Sequence, residues 1–180
     1  GRAMTETDQE VLIYGGSNVK SIKGITSMNP DQMLIGSATK LMELEAPNCP
    51  LLANINANKA NLAPHLYLTK IDLSNCPLLG GNLIVNNSSL IKEIDITDTG
   101  ITGLNLPSSL RNLESLKLPN TITSLRLNDA GLLKELNIPT NIEYLSLINV
   151  PSLTTIISNA SSFEKLNTLH LDLTEKEMND

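Results

Sequence analysis

Outside its nineteen Asp and Glu residues, this 180-residue chain has little that could do acid–base, thiol or metal chemistry: two histidines and two cysteines. Nucleophilic catalysis needs a base beside the nucleophile, and no G-x-S-x-G elbow surrounds any of the many serines. A metal site built on Cys49 and Cys76 would need more ligands than two thiols. Neither His65 nor His170 lies in a motif that supplies them. Gly15-Gly-Ser-Asn18 lacks the spacing of a phosphate-cradling loop and reads as a turn, as does Gly80-Gly81. A catalytic carboxylate needs a pocket that perturbs it, and no pattern here predicts one. The expectation is a protein that is not an enzyme, with no catalytic residues, no metal and no cofactor.

Charge narrows the partners. The formal net charge is −6 and the pI about 4.9, with no basic stripe and no interleaved aromatics. That argues against nucleic acid, whose phosphates demand Lys and Arg, and against adsorption to anionic membranes. No apolar run reaches the ~20 residues of a spanning helix, so membrane insertion is not expected. The first residues carry no signal-peptide pattern. Gly1–Met4 reads as a cloning remnant, which leaves localisation open.

The elements that position these side chains follow from one recurring string. Leu68-Thr-Lys-Ile71-Asp-Leu73-Ser-Asn-Cys76 has the form L-x-x-L-x-L-x-x-(C/T/N). It returns from Ile91 to Thr99, from Leu113 to Thr121 and from Leu133 to Asn141. Tracking its central apolar residue gives a first row of Ile22, Leu44, Ile71, Ile94, Leu116, Leu136 and Ile156. A second row, Ile55, Leu83, Leu104, Leu125, Leu145 and Leu169, falls between them. Both rows stretch at the same place, where Lys59–His65 reads as an insertion. A period near 20 residues in two rows predicts a solenoid. Within each row apolar-x-apolar alternation predicts short strands, and the connections are too short for stable helices. One or two helical turns are expected at Ser161–Leu166, where Ser161 and Glu164 fit a capping box. The aromatic content of 2% suits narrow identical layers of Leu and Ile better than an ordinary core.

The ninth motif position reads Ser27, Cys49, Cys76, Thr99, Thr121, Asn141, Ser161, an inward ladder of small polar residues expected to satisfy turn backbone. Stacked in adjacent coils, Cys49 and Cys76 lie within reach of a disulfide. The simpler reading is two reduced, unreactive fillers.

At these residues, over roughly 19–173, the chain resembles the leucine-rich repeat family. Leu41–Leu51 and Leu68–Leu79 look like its cysteine-containing variant. The resemblance implies a mainly β solenoid of about seven coils, with a parallel sheet on the first-row face and short strands opposite. It also implies recognition of proteins through varied exposed positions. The two-strand coil is similar to repeats of gut-bacterial surface proteins and of their phages' virion proteins, which implies a cell-surface or virion setting. The division expected is 1–18 as tag remnant and N-terminal capping segment, 19–173 as solenoid and 174–180 as tail, with the chain belonging to a longer repeat array. Glu10–Tyr14 could supply a capping strand.

Outward positions of the first row carry the candidate site. Glu43, Lys70 and Glu93 form one column; Glu45, Asp72, Asp95 and Lys117 form the next. Adjacent like charges repel at strand spacing, so a negative patch around Lys70 points to a protein partner with a basic surface, or to a solvated face that confers solubility. The second row is rich in Asn and could contact glycans, although it lacks aromatic stacking platforms. The alternative function is structural: an assembly segment of a virion or surface fibre that self-associates.

Overall fold

The computed structural model describes residues 10–158 and 163–174. Among these, the chain is a mainly β solenoid of about seven turns, whose one helical segment is a 3-10 turn at Ile25–Met28. Strands alternate between two faces. The first face holds β2 (Ser21–Ile22), β4 (Glu43–Glu45), β6 (Lys70–Asp72), β8 (Glu93–Asp95), β10 (Ser115–Lys117), β12 (Glu135–Ile138) and β14 (Thr155–Ser158). The second holds β1 (Glu10–Leu12), β3 (Gln32–Leu34), β5 (Asn54–Ile55), β7 (Gly80–Ile84), β9 (Gly100–Asn105), β11 (Ser124–Asn128), β13 (Tyr144–Ile148) and β15 (Thr168–Asp172). Every pairing is parallel, so each residue lies beside its equivalent in the next coil.

This register stacks like on like. Leu44, Ile71, Ile94, Leu116 and Leu136 point inward from the first face, opposed by Met33, Ile55, Leu83, Leu125 and Leu145, and all are buried. The strands are short because the chain soon turns. Asn48, Asn75 and Asp98 take left-handed backbone (φ 57°, 56° and 55°) just before Cys49, Cys76 and Thr99. Asn and Asp enter that region at lower cost than other side chains. Asn75 Nδ2 donates to Asn48 Oδ1 at 2.9 Å, tying one turn to the next.

The polar ladder is shorter than the sequence suggests. Cys49 and Cys76 are fully buried and Thr99 nearly so; Thr99 Oγ1 donates to Ile96 O at 2.8 Å. Ser27, however, is exposed, and its neighbour Thr26 makes the coil-to-coil bond, to Pro47 O at 2.6 Å. Beyond Thr99 the turns become Pro119-Asn-Thr-Ile122 and Pro139-Thr-Asn-Ile142, closed by Ile122 N to Pro119 O and Ile142 N to Pro139 O. Ile122 and Ile142 take the inward place. Thr121 and Asn141 still bond the preceding coil, through Ile101 O and Asn120 O, but from the surface side. Ser161 lies outside the described residues, as does the start of the expected helical turn.

Where the turn changes, the stack splits. Lys20 O, Met42 O, Thr69 O and Lys92 O each accept two N–H groups from the next first-face strand, and Lys134 O does the same for Thr154 and Thr155. No such bond joins Glu114 to Lys134 among the described residues, so β2-β4-β6-β8-β10 form one sheet and β12-β14 another. On the second face one break falls between β9 and β11, and β5 joins β7 only through the single bridges of Ala60 and Asn61. The break between β10 and β12 coincides with the change of turn type and with the first coil of 20 residues; the following coil keeps that turn and length and pairs again.

Three expectations about the second face need correction. The row extends further back, through Met33 to Val11, so the capping strand expected at Glu10–Tyr14 is there as β1 and is a regular member of the second face. The insertion at Lys59–His65 also carries the ladder, because Ala60 bridges Ile55 and Asn61 bridges Ile84. Gly80-Gly81 is strand with a register shift after Gly81, whose φ of 71° suits glycine. At the far end, inward positions open up: Leu169 is 57% exposed, whereas its ladder neighbour Leu145 is 2%.

The two ladder types give a direct test. Thr99→Val should cost about 1–3 kcal/mol in urea unfolding, by stranding buried turn backbone. Asn141→Val, at the surface, should cost less than about 1 kcal/mol. Leu73→Ala should cost about 2–5 kcal/mol through its cavity.

Candidate functional site

The predicted columns form with the expected neighbours. Glu43 pairs across to Lys70 and Lys70 to Glu93; Glu45 pairs to Asp72, Asp72 to Asp95 and Asp95 to Lys117. Side chains alternate along each strand, so the inward Leu44, Ile71, Ile94 and Leu116 anchor a sheet whose other side carries these charges.

Their electrostatics differ from a bare acidic patch. Lys70 Nζ lies 2.5 Å from Glu45 and 3.9 Å from Glu93. Lys23, which the sequence reading left out of the site, lies 2.5 Å from Glu43 and 3.2 Å from Glu45. Two lysines therefore thread three glutamates into a zigzag. Hydrogen bonding to Glu43 raises the Lys23 pKa, and that from Lys23 lowers the Glu43 pKa. Lys70 likewise holds Glu45 below its ordinary range, while Glu45 raises Lys70. Exposed pairs of this kind contribute little stability individually. Their effect is to fix the side chains on a flat sheet. Lys23 was legible as the next residue down the Glu45 column.

Asp72 and Asp95 have a local task as well. Asp72 Oδ1 accepts from Ser74 N–H at 3.0 Å and from Ser74 Oγ at 2.6 Å; Asp95 Oδ1 does the same with Thr97, at 3.1 and 2.7 Å. Asp172 repeats the arrangement with Thr174. These are side-chain turns that terminate strands, and the repeated D-x-(S/T) was their sequence signal. Repulsion along the acidic columns is thus offset by lysines and turn donors. Lys117 sits elsewhere: with Glu114, Glu135, Asn137 and Thr97 it lines a groove of about 270 Å³ along the split between β10 and β12.

His65 lies in the core, fully buried, and not on an exposed loop. Asn56 Oδ1 accepts from Ile35 N–H and Asn56 Nδ2 donates to Asn61 O, which fixes the amide's orientation. Nδ2 also meets His65 Nε2 at 3.1 Å, while His65 Nδ1 faces Ala38 O at 3.1 Å. A carbonyl accepts and an amide nitrogen donates, so the ring is neutral with its proton on Nδ1. Ser88 Oγ closes the knot by donating to His65 O at 2.7 Å. Burial lowers the His65 pKa, opposed by the bond to Ala38. His170 is exposed on β15, as expected.

Both cysteines are free, buried thiols. Cys76 Sγ donates to Ala46 O at 3.3 Å, and burial pushes its pKa up to about 11. Burial raises Cys49 too. No group of three or more His, Cys, Asp or Glu residues among the described ones could hold a metal ion. No helix among them is long and apolar enough to cross a membrane.

Because the folded pKa of His65 is depressed, the unfolded chain binds the extra proton first. Stability is then full above the ordinary histidine value of 6.5 and falls as pH drops below it. Urea midpoints between pH 7.5 and 5 should show this decline, and His65→Gln should flatten the histidine part of the profile while lowering stability throughout. Native Cys49 and Cys76 should react with a soluble aromatic disulfide at pH 8 only on the timescale of unfolding; rapid native labelling would contradict their inertness.

No protein-family model matches this chain, and a search of curated proteins finds none similar to it.

Proposed function

We propose that this protein is a non-enzymatic recognition scaffold that binds a protein partner through the first face of its solenoid, as part of a bacterial or phage-derived surface. The observation that carries the reading is the five-stranded parallel sheet from β2 to β10, whose outward Lys and Glu side chains are tied to one another before any partner arrives. A pre-ordered surface loses little conformational entropy on binding. Its five carboxylates against Lys23, Lys70 and Lys117 leave an acidic excess that would select a basic partner surface. The resemblance to leucine-rich repeats favours the same face.

A second reading, assembly by self-association, is favoured by Ile156, Leu169 and Leu171, which are 45%, 57% and 44% exposed at positions buried in earlier coils and give an apolar patch that a second copy could cover.

Because Asp72 and Asp95 also cap turns, Glu43→Lys with Glu93→Lys is the cleaner probe of this face. Peptides selected from a random display library on the wild-type protein should bind that double variant at least about tenfold more weakly, and should protect residues 21–117 in hydrogen exchange. Selected binders that footprint elsewhere and ignore both substitutions would refute the first-face reading. Light scattering separates the second: mass that rises with concentration and is restored to monomer by Leu169→Lys supports assembly, and a monomer throughout removes it.

A further inference from the structure

The split on the second face opens a groove of about 430 Å³ lined by Asn86, Asn105, Asn128, Ser108, Ser124 and Arg126, with Leu104, Leu106 and Pro107 also contributing to its wall. That volume is within the ~300–1,000 Å³ of small-ligand sites. Its chemistry contrasts with the rest of the surface. In a chain of net charge −6, no carboxylate lines this groove, and no described carboxylate pairs with Arg126. Asn128 Oδ1 is buried without a hydrogen-bond partner, an arrangement that costs free energy unless a donor reaches it.

We propose that this groove binds a carboxylate-bearing sugar, a uronate unit of an acidic oligosaccharide. The Arg126 guanidinium is a planar fork that matches a carboxylate in two parallel bonds. The three asparagines offer amide donors and acceptors to ring hydroxyls. Leu104, Leu106 and Pro107 give an aliphatic surface for a sugar ring where no aromatic platform exists. A phosphate would ask for several cations or converging backbone N–H groups, and the groove has one cation. An extended peptide would need the strands spread by a further strand width. The split is stapled against that by Thr121 Oγ1 to Ile101 O and by Leu110 N to Asn128 O at 3.1 Å.

The test is titration of the protein with trigalacturonate, followed by calorimetry and by the NMR signals of the Arg126 Nε–H and the asparagine amides. Saturable binding that moves Arg126, Asn105 and Asn128 together is expected. Arg126→Gln should weaken it at least about tenfold, Asn128→Ala several-fold, and Lys117→Gln on the opposite face not at all. Absence of binding, affinity unchanged in Arg126→Gln, or equal affinity for neutral maltotriose would overturn the proposal. Equal affinity for inorganic phosphate would overturn it too, reducing the groove to a general anion site.

Discussion

Everything in this molecule depends on one constraint: each coil must place the same kind of side chain at the same height as the coil before it. Parallel pairing in register delivers this, and Leu and Ile fill the narrow space between the two faces. A buried chain must also find partners for its turn backbone. Left-handed Asn48, Asn75 and Asp98, followed by buried Cys49, Cys76 and Thr99, satisfy that demand without widening the layer. The outward charges inherit their columns from the same register. The candidate face is therefore a by-product of core stacking, decorated by the residues left over.

Much of this was legible because a two-residue alternation inside a 20-residue period has few other solutions. The first-row strands, the cross-strand columns and the paucity of helix followed directly. What escaped was set by contacts distant in sequence. The strand at Gln32–Leu34 lies outside the tracked second row and was recognisable only once paired with its neighbours, whereas the one at Glu10–Leu12 falls in the segment expected to cap the array. His65 is polar, so its burial depends on Asn56 and Ala38 approaching from other coils. The ladder failed at Ser27, Thr121 and Asn141 because a one-residue change in turn geometry decides which side chain points in. Thr26, Ile122 and Ile142 took those places.

The candidate site was half legible. Spacing predicted which charges are neighbours, but it gave no account of rotamers. Those let Lys23 and Lys70 reach two glutamates each, and let Asp72 and Asp95 fold back onto Ser74 and Thr97. An acidic column in sequence became a largely internally compensated surface. Neither groove was foreseeable, since both arise from the splits.

Those splits also bear on how the molecule comes apart. In a linear array, stability is a sum of coil terms and nearest-neighbour coupling terms. The backbone ladder is missing at β10/β12 on one face and β9/β11 on the other, so the weakest coupling lies across residues 106–134. Across that stretch the coils share a core but not a continuous sheet. Unfolding that spreads along the array meets, at this boundary, fewer backbone bonds to carry it from one coil to the next.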